Sequence, residues 1–204
     1  MADVIESPAD RALALAKERG IARARDFQAA GIPLVYLKRL CDEGRLLQLA
    51  RGLYQIPDLA GTDAAHSLAE AVRLMPRGVV CLLSALRQHG LTTQLPHAVW
   101  MTLPPKARIP KSPPFPLEIV YAGEPALSFR IQPVEIEGVQ VPIYDVPKTI
   151  ADCFKHRRRV GMDVAVEALR DAIKQRKTTA ADVMQAASLN RVTNVMRPYV
   201  EALT

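Results

Sequence analysis

The sequence lacks the features that mark membrane and secreted proteins. No unbroken apolar run is longer than five residues, as in Val79–Leu83, whereas a membrane-spanning helix needs about 20. Asp3 and Glu6 precede the first apolar stretch, and a secretory signal peptide has the opposite order. Only three cysteines occur, with no CxxC pair, which is typical of reduced thiols in a cytosol. The sequence therefore predicts a cytoplasmic protein without a membrane anchor.

The motifs of common enzyme and metal sites are also missing. The four histidines form no HxxxH or HExxH pattern, which disfavours a zinc site. No glycine-rich phosphate loop of the GxxxxGK[ST] or GxGxxG type occurs. A triad of Ser84, His89 and Asp145 can be written, but no GxSxG turn surrounds the serine. These absences predict a protein that is not an enzyme and that needs no cofactor or metal.

One enzymatic alternative stays open, a metal-dependent nuclease or transferase with a DNA-targeting first domain. Three glutamates occupy predicted strands, Glu118, Glu135 and Glu137. Lys148 follows them in a predicted helix. Carboxylates and a lysine around one divalent metal would suit such an enzyme. The exposed face of a β-hairpin accounts equally well for the second and third of these glutamates.

What the sequence does have is an excess of positive charge. Its 204 residues include 27 Lys and Arg against 21 Asp and Glu, which gives a net charge of +6 and a pI of about 9.4. Eight basic and four acidic residues lie between Lys17 and Arg51, but the rest of the chain also carries an excess. This balance favours an acidic partner, and nucleic acid first.

The first 58 residues follow the order of a winged helix-turn-helix. Ser7-Pro8 predicts the start of a helix that ends at Gly20, and a second helix is predicted over about 23–30. Gly31-Ile32-Pro33 predicts a tight turn before a third helix at about 33–43. A hairpin over residues 45–56 follows, and this order defines the winged motif. A three-helix packing module with an unrelated hairpin is the alternative.

Burial of one face of the third helix assigns its other face to DNA. Leu37, Leu40 and Cys41 lie at i, i+3 and i+4, so they face the interior. The helix would enter the major groove, and the hairpin turn would meet the minor groove or its phosphates. The predicted DNA-binding residues are Arg23, Arg25, Tyr36, Lys38, Arg39, Arg45 and Arg51.

Residues 59–204 predict a small mixed α+β domain with C-terminal helices, so the fold class of the chain is α+β. Strands are expected at 98–103, 117–121 and 128–133, with a hairpin at 134–144. Six of the sixteen prolines fall within residues 104–116, which must therefore be a loop. Asp145 begins a helical region that extends to the end of the chain.

A second group of basic residues lies at the end of the first helix in that region. Its members are Lys148, Lys155, Arg157, Arg158 and Arg159. Two interpretations stay open. Cations near a helix C-terminus complement the helix dipole and stay solvated. Alternatively, they form a patch that contacts a phosphate backbone or an acidic partner.

Three segments in a fixed order resemble the AbiEi antitoxins. They are Arg51-Gly52-Leu53-Tyr54, Ser84-Ala85-Leu86 with His89-Gly90-Leu91-Thr92, and Tyr144–Cys153, which reads YDVPKTIADC. The AbiEi antitoxins belong to type IV toxin–antitoxin and abortive-infection systems of bacteria. The resemblance extends over about residues 5–175.

The resemblance implies two functions and two partners. The winged N-terminal domain would bind operator DNA and repress its own operon, and the C-terminal domain would be needed for antitoxicity. The functional partner would be a cognate nucleotidyltransferase-like toxin, countered without a stable complex. No catalytic residue is implied. A repressor with no toxin role is the remaining alternative.

Overall fold

Residues 7–59 and 64–203 are described in the computed structural model, so Asp3 and Glu6 lie outside the described residues. The chain divides into two units. The first unit comprises Met1–Pro76, Pro110–Pro114 and Glu135–Val141, and the second unit comprises Arg77–Ile109, Phe115–Val134 and Pro142–Thr204. This division differs from the one predicted after residue 58, which falls beside the undescribed residues 60–63.

The first unit contains a winged helix-turn-helix and one further helix. Its elements are α1 (Pro8–Arg19), β1 (Ile21–Arg23), α2 (Ala24–Ala29), α3 (Leu34–Asp42), β2 (Leu47–Ala50), β3 (Leu53–Gln55), a short 3-10 turn (Pro57–Leu59) and α4 (Ala64–Leu74). The strands form an antiparallel sheet in the order β1-β3-β2. The predicted order of helix, helix, turn, helix and hairpin is therefore present.

Local signals in the sequence fix the ends of α1. The Ser7 hydroxyl accepts a hydrogen bond from the Asp10 N–H at 3.2 Å, and Pro8 occupies the first helical position. The helix ends at Gly20, whose φ of +64° is a conformation that other residues rarely adopt. Strand β1 was not predicted, because three residues carry no periodicity and this strand exists only through its pairing with β3.

The second unit is built on a mixed sheet packed against helices. Its elements are β4 (Val79–Val80), α5 (Leu82–Gln88), β5 (Val99–Leu103), β6 (Leu117–Tyr121), β7 (Ile131–Ile136), β8 (Val139–Tyr144), α6 (Val146–Lys155), α7 (Arg157–Val160), α8 (Met162–Lys174), α9 (Ala180–Leu189) and α10 (Thr193–Glu201). The end of β7 and the start of β8, within residues 135–141, are counted with the first unit. The strand order is β6-β5-β4-β8-β7. The pairs β5–β6 and β4–β8 are parallel, whereas β4–β5 is antiparallel. The α+β prediction is confirmed.

Two details of the second unit differ from the sequence prediction. The strands expected at 128–133 and 134–137 form the single strand β7, which begins only at Ile131. Pro133 does not break it, because β7 lies at the edge of the sheet, where a missing N–H costs little. The short helix α7 was not predicted.

Helix α6 packs at the centre of the second unit. The Asp145 carboxylate caps it by accepting the Lys148 N–H at 3.0 Å. Its side chains Ile150, Cys153 and Phe154 are fully buried, in one apolar core with residues of α5, α8, α9 and α10. Among the described helices, none is long and apolar enough to cross a membrane.

We predict that two similar glycine substitutions in the first unit have unequal costs. Gly20 and Gly31 both have a positive φ, so alanine at either position costs about 1–2 kcal/mol of backbone strain. A Cβ on Gly20 would also lie 1.7 Å from the Glu137 carbonyl oxygen, whereas one on Gly31 meets nothing within 4 Å. Gly20→Ala should therefore lower the free energy of unfolding in urea clearly more than Gly31→Ala. Equal losses would contradict the contact between Gly20 and the turn at Glu137.

Candidate nucleic-acid interface

Helix α3 presents one face to the core of the first unit and the other to solvent. Leu37 and Leu40 are buried, whereas Val35, Lys38 and Arg39 are exposed. The turn before the helix is closed by backbone hydrogen bonds, among them the bond from the Ile32 N–H to the Phe27 carbonyl at 2.9 Å. The structure thus holds α2 and α3 in a helix-turn-helix arrangement and turns the predicted side chains outward.

Arg39 is the most prominent cation of this outer face. Its side chain is 73% exposed, and its Nε donates to Glu43 at 2.8 Å. This hydrogen bond raises the pKa of Arg39 above its ordinary value. Because the bond uses Nε, the two terminal amino groups still form a fork that suits two acceptors on a guanine edge. Tyr36, also predicted to face DNA, is only half-exposed.

The turn of the β2–β3 hairpin lies next to the start of α2. Gly52 adopts a φ of +77° in this turn, and its carbonyl accepts the Ala24 N–H at 2.9 Å. Arg51, which is exposed, precedes that glycine, and Arg23 and Arg25 flank Ala24. The structure therefore brings together three of the arginines that the sequence singled out.

Arg73 of α4 joins these arginines and was not predicted from the sequence. It donates to the Arg19 carbonyl oxygen at 2.8 Å. Burial is the largest cause of its lowered pKa. The negative charge of Asp26 raises the pKa, and the positive charges of Arg19, Arg23 and Arg25 lower it further. The sequence prediction missed it because α4 was assigned to the second domain, and no local motif marks it.

Arg23 and Arg45 are less open to an outside phosphate than Lys38 and Arg51, which are both exposed. Arg23 is half-buried, and burial is the largest cause of its lowered pKa, followed by the charge of Arg25. Arg45 is exposed but lies 3.8 Å from Asp10 and 3.7 Å from Glu43. These carboxylates offset part of its charge.

Lys148 does not belong to an exposed patch, which corrects its prediction. Its side chain is 2% exposed, and Nζ lies 2.6 Å from both carboxylate oxygens of Asp152. Asn190 donates to the same carboxylate at 2.8 Å, and the ammonium lies 4.4 Å from the Tyr144 ring centroid. A lysine and an aspartate four residues apart on the apolar face of α6 were the sequence signal for this buried pair.

The other members of the second basic group differ in how open they are. Arg159 pairs with Glu118, donates to the Ile119 carbonyl at 3.1 Å and covers the Trp100 ring at 4.9 Å. Arg157 is half-buried and donates to the Phe154 carbonyl at 3.0 Å. Lys155, Arg158 and Arg159 are exposed, and of these three Arg159 is the one paired with Glu118.

The three glutamates considered as metal ligands of a nuclease are paired with other side chains of the protein. Glu118 pairs with Arg159, and the Glu137 carboxylate accepts from Gln55 and lies 2.8 Å from His66 Nδ1. Glu135 accepts from Gln140 at 3.2 Å. Among the described residues, no group of three or more His, Cys, Asp or Glu is placed to hold a metal ion.

Ser84, His89 and Asp145, the possible catalytic triad of the sequence analysis, each contact a different partner. Ser84 Oγ accepts the Trp100 N–H at 3.0 Å, and His89 Nε2 lies 2.7 Å from the Tyr144 carbonyl oxygen. Asp145 pairs with Arg130 at 2.9 Å and caps α6. Each side chain thus has a structural partner within the second unit.

Comparison with known proteins agrees with this geometry. Residues 10–57 match the family described as "Transcriptional regulator, AbiEi antitoxin". This segment is similar to the AbiEi antitoxins. The match covers the helix-turn-helix and the wing, so it confirms the predicted resemblance where the candidate DNA-binding residues lie. Comparison with curated proteins gives no match.

A solved structure shares the fold of this chain. It is the crystal structure of the RV2827C protein from Mycobacterium tuberculosis, with a TM-score of 0.60 and 15% sequence identity. The alignment covers 89% of this chain and 71% of that protein's chain. At this identity the likeness concerns the fold alone.

We predict that Lys148 is needed for stability because of its buried partner. Lys148→Met or Asp152→Asn alone leaves one buried charge uncompensated, which costs about 3–5 kcal/mol of unfolding free energy. The double variant removes both charges and should lose less than either single variant. Lys155→Met, at an exposed position of the same helix, should stay within about 0.5 kcal/mol. Urea unfolding measures all four. An effect of Lys148→Met as small as that of Lys155→Met would contradict the buried ion pair.

Proposed function

We propose that this protein is the DNA-binding antitoxin of a bacterial type IV toxin–antitoxin system. In this proposal it represses its own operon and counteracts a nucleotidyltransferase-like toxin in the cytoplasm. The observation that carries the proposal is the exposed face of α3, with Lys38 and Arg39, in a winged unit that matches the AbiEi family. DNA recognition is assigned to residues 1–58 and antitoxicity to residues 59–204.

The residues of the first unit take different parts in DNA binding. Helix α3 enters the major groove, where Arg39 and Lys38 reach base edges. Arg51 meets the minor groove or its phosphates, and Arg25 with Arg23 holds the backbone at the start of α2. The hydrogen bond between Ala24 and Gly52 supports this assignment, because it keeps the hairpin turn beside those arginines.

We assign antitoxicity to the surface of residues 59–204 and not to catalysis. The residues of the enzymatic alternatives are engaged in separate structural contacts, which supports a role without a reaction. In the second basic group Lys155, Arg158 and Arg159 are exposed, but Arg159 is paired with Glu118, and Arg157 is half-buried. Lys155 and Arg158 are therefore the members most available to a partner. We propose that these side chains meet a nucleic acid or an acidic partner and that no stable complex with the toxin is required.

We predict that Arg39→Ala and Arg51→Ala impair DNA binding in different ways. Arg39→Ala removes a bidentate contact to a base, so it should reduce the preference for the promoter over scrambled DNA about tenfold or more. Arg51→Ala removes a phosphate contact, so it should weaken binding to both DNAs and lower the log–log salt slope by about 0.9. Fluorescence anisotropy of the full-length protein on the DNA upstream of its own gene measures both effects. The control, Arg170→Ala on α8, should bind like wild type.

The same measurement can reject the assignment. If wild-type protein ignores that promoter at low salt, the regulator function is lost. If the two variants behave alike, α3 is not the element that reads bases.

We predict that Lys155→Glu with Arg158→Glu reduces protection from the toxin while promoter binding is kept. Two charge reversals shift the local charge by about four units, which weakens an electrostatic contact with an acidic partner. The matched control is Arg170→Glu with Lys174→Glu, which makes the same change at exposed positions of α8. Growth rescue is measured with the toxin expressed from a separate promoter and with antitoxin levels checked. Full rescue by the first variant would show that these cations are only solvated residues at a helix end.

A further inference from the structure

Two aliphatic side chains are exposed in the first turn of α3. Val35 is 69% exposed and Leu34 is 41% exposed. The apolar contacts that hold the helix come from its opposite face, where Leu37 and Leu40 are 0% and 1% exposed. Val35 therefore adds little to the packing of the first unit and has a side chain available to a partner.

The neighbours of Val35 indicate the chemistry of that partner. Residues three and four positions apart share a helix face, so Val35 lies beside Lys38 and Arg39, which are both exposed. A partner of this face must offer negative charge and hydrogen-bond acceptors together with a small apolar group. The major groove of DNA offers all three, because thymine presents its C5-methyl group there beside guanine acceptors and the phosphates.

We propose that Val35 packs against the C5-methyl group of a thymine in the operator and thereby reads sequence. This inference rests on the proposed function, in which α3 lies in the major groove. The N-terminal residues of a recognition helix are the ones that contact base edges, and Val35 is the second residue of α3. An apolar side chain against the thymine methyl is one of the direct contacts by which proteins read this groove.

The spacing along α3 relates this thymine to a second base. Arg39 follows Val35 by four residues, which is about 6 Å along the helix axis. Successive bases of a strand are about 3.4 Å apart. The hydrogen bond between Arg39 Nε and Glu43 orients the guanidinium fork. The thymine read by Val35 therefore lies within about two base steps of the guanine read by Arg39.

The test replaces each thymine of the promoter site in turn by deoxyuridine, which removes only the methyl group. Full-length protein is titrated against each duplex by fluorescence anisotropy. For wild type, deoxyuridine at one position should weaken binding about fourfold, as expected for one buried methyl-sized group. Val35→Ala should bind the thymine and deoxyuridine duplexes alike at that position. Val35→Thr, which keeps one methyl group, should retain most of the difference.

The matched control is Leu47→Ala, which removes an aliphatic side chain that is 39% exposed on β2. It should leave the deoxyuridine effect unchanged. Val35→Ala that stays as sensitive as wild type at every position overturns the inference while promoter binding, and with it the proposed function, stands. A changed oligomeric state of Val35→Ala in sedimentation, with the deoxyuridine effect kept, also overturns it and assigns the face to a second copy. Absence of wild-type promoter binding overturns both.

Discussion

Burial of Leu37 and Leu40 sets the rotation of α3 about its own axis. Both lie in one apolar cluster with Phe27 and Leu46, so turning the helix would expose the core of the first unit. The proposed recognition of bases depends on this constraint, because the side chains of α3 that can face DNA are those that the core leaves outside. Packing between α2 and α3, together with the tight turn between them, therefore determines which side chains reach bases.

Positive charge is concentrated around the start of α2 by contacts between residues distant in sequence. The hydrogen bond from Ala24 to Gly52 places the hairpin turn beside the start of α2. Arg73, from a helix outside the winged motif, adds a fourth arginine near Arg23 and Arg25. Basic residues that are spread along the sequence are thus brought close together by folding.

Local signals were sufficient to predict most element bounds, whereas nonlocal contacts were not predictable. Ser7 and Gly20 fix the ends of α1 through capping and a positive φ, which a single sequence shows directly. Strand β1 and Arg73 depend on partners elsewhere in the chain, so no window of sequence reveals them. Lys148 was misassigned because charge was counted without asking which face of α6 is buried, although Asp152 marked its partner. Among the candidate DNA-binding residues, Arg23 and Tyr36 are half-buried and the others are exposed; their role in DNA binding stays a prediction.

The proposed recognition of DNA requires α3 to lie in the major groove. Methylation interference measures this directly, because dimethyl sulfate methylates guanine N7 in the major groove and adenine N3 in the minor groove. On the DNA upstream of its own gene, we predict that methylated guanines within the site prevent binding of the full-length protein. Interference confined to adenines, or none at any guanine of the protected site, would contradict the placement of α3 in the major groove.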